Sequence, residues 1–499
     1  MHATRLVSAA ALVLLLAVQS ASAVSLNPRG VGQVLIYPYY TVNKGQDTLL
    51  SVVNASAIGK AVQVRVLEGY NGRDTLAFDL YLSPHDVWTA SISQIADDGG
   101  AMLKTSDTSC TYPAAIPPTG VPLRSVDYDG TGSVPADGGP TSITRTREGF
   151  IEFLVGGDIT PGSPTDVAIT HVQTGNPGEG TPPGCDTLSN LDVGADEVAP
   201  TGGIFGSGSI VNVGQGTFFP YNADAIQGFT SHAIAFGTDG VYPTGVALHL
   251  ANSSEAVAGV ATAYVSDEAG RTLALDYQFG IDAVSAVFMA EAIYNEYVIA
   301  ATLGANTDWV VTFPTKAYYV DSLYGAVPLA PFGAPFAAPG AAPAPVAGNV
   351  YDREEGGYPF GGPCDGFCPP PLPVPGLDYE VNVIPIVNSV TPTVASGVFG
   401  SNLVGMSLAP YGDDGQIALD LTDAGLTFAA LPGGLDPQGN AVSLRGLPVT
   451  GFIAYNVINA NAQPGLLANY SGVFRYRTTM ACDGNVDGCT PINTGGQTP

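Results

Sequence analysis

Near the end of this chain the run Cys482-Asp483-Gly484-Asn485-Val486-Asp487-Gly488-Cys489 sets oxygen-bearing side chains at alternate positions between two cysteines. Asp483, Asn485 and Asp487 fall at positions 1, 3 and 5 of a calcium loop, with Gly488 at position 6, where the chain must turn sharply. A second run, Asp127-Tyr128-Asp129-Gly130-Thr131-Gly132, repeats the same offsets. Both lack the bidentate glutamate at position 12, where Thr494 and Gly138 stand instead. With so few charged ligands, affinity for calcium would be about 10⁻⁴–10⁻³ M. Asp, Asn and Gly also build polar turns for reasons of their own. The expectation is a stapled turn first and a calcium loop second, and calcium is the one cofactor the sequence suggests.

Other chemistry finds less material. No G-x-S-x-G, H-E-x-x-H or phosphate-loop pattern occurs, so a nucleophilic or metal-dependent enzyme would have to assemble its residues in space. Asp352, Glu354 and Glu355 could supply a glycosidase pair, although adjacent acids in a loop are normally solvated. His249 alternates with Val246, Leu248 and Leu250 and should face solvent from a strand. His85-Asp86 reads as a turn cap beside Trp88. Tyr37 and Tyr39 share one strand face; exposed, they would stack on sugars or anchor a partner, and buried they would be core.

The elements that must position these residues begin with an export signal. Arg5, the short apolar run "LVSAAALVLLLAV" and Ala21-Ser22-Ala23 read as a secretory leader cleaved before Val24. The apolar run is too short to span a bilayer. No later segment offers an uninterrupted spanning stretch, so the mature chain is expected to carry no membrane span. Acidic residues outnumber basic ones 44 to 16, a balance that repels nucleic acid and anionic membrane. Six cysteines in an exported chain imply three disulfides, and spacing suggests Cys110–Cys185, Cys364–Cys368 and Cys482–Cys489.

Period-two alternation dominates the chain. In "AVQVRVLE" Val62, Val64 and Val66 face one way, and after "GYNGRD" Leu76, Phe78, Leu80 and Leu82 repeat the pattern against Ala77, Asp79 and Tyr81. Asn71-Gly72 marks a hairpin bend. Pro38 should confine its strand to an edge position or a bulge. One helix is expected over "DAVSAVFMAEAIYN", with Asp282 as N-cap. The Ala/Pro-rich stretch 325–378 reads as a linker or long surface loop. The expected fold is all-β, two or three Ig-like or Greek-key β-sandwich domains with long Gly/Pro-rich loops and at most one or two short helices. The expected divisions are a leader over 1–23, a sandwich over 24–203 with disulfide-tied loops, a second β-rich unit over 204–324, the linker, and a C-terminal unit over 379–499.

The stretches "NPRGVGQVLIYPYYTV", "LSPHDVWTA", "TDWVVTFPTK", "DREEGG" and "NANAQPGLLANYSGVFRYR", spread from end to end, resemble a family of exported or cell-surface β-rich proteins of Gram-negative bacteria. The resemblance implies export and β-rich architecture and supplies no activity or site residues. The function expected is structural or adhesive work at the cell surface or in the periplasm, without catalysis, with protein or polysaccharide as partner. The alternative is a carbohydrate-binding protein or a surface enzyme acting on polysaccharide. A concave face with tyrosine beside clustered carboxylates would favour that alternative.

Overall fold

The hairpin read from alternation is present, with Val62 opposite Leu80, Val64 opposite Phe78 and Val66 opposite Leu76. Its bend contains Gly72 at φ 64°, where a side chain would be strained. The computed structural model describes residues 23–489 except 97–98, 114, 174–179, 235–247, 252–259, 268–269, 325–329, 360–375, 388–394, 411, 423–428 and 460–462. The leader, apart from Ala23, and the Cys364–Cys368 pair therefore lie outside the described residues.

Around the hairpin two antiparallel sheets stack. The first runs Ser25–Leu26, Asp224–Gln227, Val34–Thr41, Glu148–Ile159, Lys60–Glu68, Asp74–Leu82 and Cys110–Tyr112. The second runs Thr217–Asn222, Ile204–Asn212, Asp47–Asn54, Val87–Gln94, Ala101–Lys104 and Val121–Pro122. Pro38 sits at a register shift between Val34–Thr41 and Glu148–Ile159, beyond the reach of Asp224–Gln227. The missing N–H is thus placed at a bulge inside the sheet.

The strands cross the boundaries expected from composition. Ile204–Gln227 supplies three strands to the first sandwich. Downstream, Ala305–Thr312 lies between Val381–Ile386 and Thr450–Val457, and Ala292–Val298 lies between Asp414–Asp420 and Arg477–Thr479. Ala347–Asp352, inside the Ala/Pro-rich stretch, pairs with Asp414–Asp420. A third sheet joins Ala261–Ser266, Thr272–Tyr277, Ala430–Leu435, Ala441–Arg445 and Cys482–Gly484. Proline and glycine density marked loops correctly in part, but it could not report which strands pair across them.

The whole is all-β with sandwich-like sheets. The expected helix is present as Gly280–Phe288, but Phe279 holds the N-cap position without a side-chain cap; Asp282, expected there, sits in the first turn and accepts a hydrogen bond from Tyr319 Oη at 2.7 Å instead. The remainder of the expected helix, from Met289 onward, is strand, because Ile293, Tyr294 and Tyr297 pack in a sheet instead. Further short helical segments at Pro164–Ile169, Val193–Asp196 and Ala317–Val320 are too brief to leave a 3.6-residue period in the sequence.

One apolar cluster runs from Val24 to Cys482 through both halves of the chain. Buried polar contacts lock the halves together. Arg73 pairs with Asp321, Asn71 Nδ2 donates to the same carboxylate at 2.7 Å, and Ser401 Oγ and the Asn402 N–H donate to Glu148 at 2.6 and 2.8 Å.

Candidate functional site

The residues singled out by sequence do not gather at one place. Asp483 lies in a strand opposite Ser443, and its carboxylate is held by the Arg445 guanidinium, with Nε at 2.9 Å. Asn485 and Asp487 are exposed beyond it, inside the loop closed by the Cys482–Cys489 disulfide. Asp129 accepts hydrogen bonds from the Thr131 N–H and Oγ1 at 2.7 and 2.6 Å; the side-chain hydrogen bond with Ser125, and then those from Thr131, hold its carboxyl below the usual range. Asp127 is half-buried, and burial followed by the charge of Asp74 pushes its carboxyl up. Among the described residues no three His, Cys, Asp or Glu side chains are arranged to hold a metal ion.

Asp86 does cap its turn, accepting the Ser83 N–H at 3.1 Å and the Val87 N–H at 2.9 Å above the buried Trp88. His85 stands at φ 59° in that turn. His249 occupies a helical turn, Leu248–Leu250, with its ring 5.5 Å from that of Tyr318. The strand expected there ignored the packing of this turn against the Gly280–Phe288 helix. Asp352 accepts the N–H groups of Glu354 and Gly356 at 3.0 and 2.7 Å and so closes its own turn, while Glu354 reaches Arg353. Tyr37 and Tyr39 are core: their hydroxyls donate to Ser51 O at 2.6 Å and Glu148 Oε2 at 3.0 Å.

A different set of residues forms a cleft. Leu76, Phe78, Leu80 and Leu82 point into the sandwich, so Asp79 and Tyr81 point out of its other face. That face is buried too. The excursion 160–200 folds across it, and Leu188, Ile169 and Ala168 pack on Tyr81 and Ala61 to make a second small core. Two features pin the excursion. The Cys110–Cys185 disulfide ties it to the edge strand, and Glu197–Val198 pairs with Asp158–Ile159 at the end of the longest strand.

Between sheet and excursion lies a cavity of about 600 Å³, lined by Asp79, Tyr81, Tyr112, Leu188, Asp192 and Glu197 among others. Gly157 lies beneath Glu197, where a Cβ would come within 3.0 Å of the glutamate side chain. Glycine there lets the carboxylate lie flat on the sheet. Asp79 is 1 % exposed, and its Oδ1 has no hydrogen-bond partner; nor has Glu197 Oε2.

Burial disfavours a charge that water no longer solvates. It raises the Asp79 carboxyl to about 8, with the negative charge of Glu197 adding to the effect. Burial, and then Asp196, raises Glu197 to about 7. Burial thus favours the protonated form of both acids, more strongly for Asp79. Perturbed carboxyls of this kind are common where acids meet ligands.

Reasoning from sequence missed Glu197 because Asp196-Glu197 looks like any acidic loop. Its partner Asp79 was visible only as the polar member of an alternating strand. The cystine Cys110–Cys185, expected and present, was the available signal that the two loops meet above that strand. No helix among the described residues is long and apolar enough to cross a membrane. No protein-family model, curated protein or solved structure matches the chain.

Proposed function

We propose that this is an exported cell-surface protein that adheres by binding a glycan in the cleft beneath the 185–197 segment. The observation that carries the reading is one cavity that brings Asp79, Asp192 and Glu197 together with Tyr112 and Tyr81. Sugars present many hydroxyl donors, and carboxylate oxygens accept them; tyrosine offers an apolar ring with a polar tip. Pockets that fix a small ligand combine an apolar lining with a few placed polar groups. Two disulfides accord with an oxidising compartment.

The test is retention of glycans by the purified mature protein on an array, followed by titration of the strongest hit. Glu197→Gln and Tyr112→Ala should each weaken binding at least tenfold in protein that still unfolds cooperatively. An array without a hit, or a hit bound equally by both variants, refutes the assignment.

Adhesion to protein is supported by a separate observation. Phe205 and Val87 flank Val53 across three adjoining strands of the second sheet, and Leu49 stands nearby; Phe205, Val87 and Leu49 are all exposed. Phe205→Ser would weaken attachment to cells without changing glycan affinity if this face carries the contact.

A further inference from the structure

We propose that the cleft selects ligands bearing a protonated amine, so that an amino sugar is preferred to its acetylated or neutral counterpart. The inference rests on the glycan-binding reading and narrows it to a substrate class. Asp79 is almost wholly buried yet lines the cavity with an unpartnered oxygen, and Glu197 contributes a second.

No lysine, arginine or histidine is among the residues that line the cavity. The surrounding charges are already engaged. Asp192 Oδ1 accepts the Ala195 N–H at 3.3 Å, capping Val193–Asp196. Asp196 Oδ2 accepts the Thr165 N–H and Oγ1 at 3.0 and 2.6 Å. Lys60, on the adjoining strand, is bound to Asp158 at 2.6 Å and Thr201 at 3.1 Å. Tyr81 stays protonated, since burial and then Asp79 push its hydroxyl up. Among the described residues that line it, the cavity thus gathers a buried Asp79, a half-buried Glu197 and an exposed Asp192 with no cation beside them.

An unpaired buried carboxylate is expensive, and such a group escapes the cost by keeping a proton. A ligand ammonium removes the cost differently. It brings one positive charge and three N–H donors that carboxylate oxygens can accept, whereas a hydroxyl brings one donor and no charge. On binding, the neutral Asp79 carboxyl releases its proton to water and the ammonium takes the place of that charge. Atoms and charge balance: a cationic ligand enters and one proton leaves. While the free amine keeps its own proton, as an amino sugar does between pH 5.0 and 6.0, affinity for it should therefore rise with pH, and it should level off once the amine itself titrates; affinity for a neutral sugar should not change in this way.

The measurement is calorimetric titration of the mature protein with three hexasaccharides in 0.15 M salt: β-1,4-linked glucosamine, its N-acetylated form, and β-1,4-linked glucose. The glucosamine hexamer should bind at least tenfold more tightly than the other two and tighten further between pH 5.0 and 6.0, where its amines stay protonated. It should lose at least tenfold in the double variant Asp79→Asn/Glu197→Gln. Equal or tighter binding of a neutral hexamer overturns the amine preference and leaves glycan binding standing. Undiminished glucosamine binding in the double variant also overturns it, because the chain's net charge of −28 would then be the attraction. If none of the three binds, both readings fall together. The comparison among ligands on the wild-type chain does not depend on whether the variants fold.

Discussion

Asp79→Asn should make the protein more stable at neutral pH, and the gain should vanish in acid. In an unfolded chain this carboxyl has its ordinary value of 3.8, and in the folded protein burial and Glu197 raise it to about 8. Between those values the unfolded chain has released its proton while the folded one retains it, so stability falls as pH rises through the window. At pH 7 the deficit is about 1.36 kcal/mol for each of roughly three pH units above 3.8, or about 4 kcal/mol as a ceiling. Asparagine matches the shape and does not ionise, so it removes the slope. If half the ceiling is realised, about 2 kcal/mol, Tm should rise by about 4–8 °C for a unit of 150–250 residues. Urea melts of wild type and variant at pH 4.5, 6.0 and 7.5 read this directly. The two should converge at pH 4.5 and separate by pH 7.5. Parallel pH profiles, or a variant that is less stable at pH 7.5, would refute the argument that Asp79 is a buried acid held against its charge.

Other perturbations follow from contacts already described. Replacing Cys110 and Cys185 by serine removes a closure spanning 75 residues; the chain-entropy model gives about 4.5 kcal/mol, and limited proteolysis should then cut within 160–200 first. Arg73→Ala strands the buried Asp321 carboxylate and should cost about 3–5 kcal/mol in a denaturant melt. Arg445→Ala frees Asp483, so any rise in Tm produced by millimolar calcium should be larger in that variant than in wild type. Gly206→Ala drives a Cβ into the Tyr37 hydroxyl and the Ser51 carbonyl, and a loss of about 1–3 kcal/mol is expected from the overpacking.

Alternation made individual strands legible because a half-buried strand must repeat every second residue. It put Val62, Val64 and Val66 on one face, Leu76, Phe78, Leu80 and Leu82 on another, and Asn71-Gly72 at the bend between them. The same logic failed on the opposite face. Ala77, Asp79 and Tyr81 look like a solvent side, yet the strand Asp74–Leu82 is buried at every position after the first. What covers it is an excursion whose own sequence, rich in Gly, Pro and Asp, carries no period. Tyr37 and Tyr39 show the converse: their hydroxyls looked suited to recognition, but each finds a buried acceptor. Which distant strands become neighbours is decided by packing, and neither composition nor spacing records it.

The interleaving in the second half sets an order for assembly. The first sandwich has all its main strands once residue 227 has emerged. Ala305–Thr312 is different, for both its neighbours, Val381–Ile386 and Thr450–Val457, come later in the chain. Until then the segment holding Trp309, Val310 and Val311, all buried in the finished protein, has nothing to pair with. A chain delivered N-terminus first must keep that apolar stretch from aggregating for about 70 residues until Val381 arrives, and well over a hundred follow before Thr450 completes the sheet. Pairings of such long sequence separation also close slowly. The sheets of the second half therefore cannot be completed until residues 450–484 have arrived.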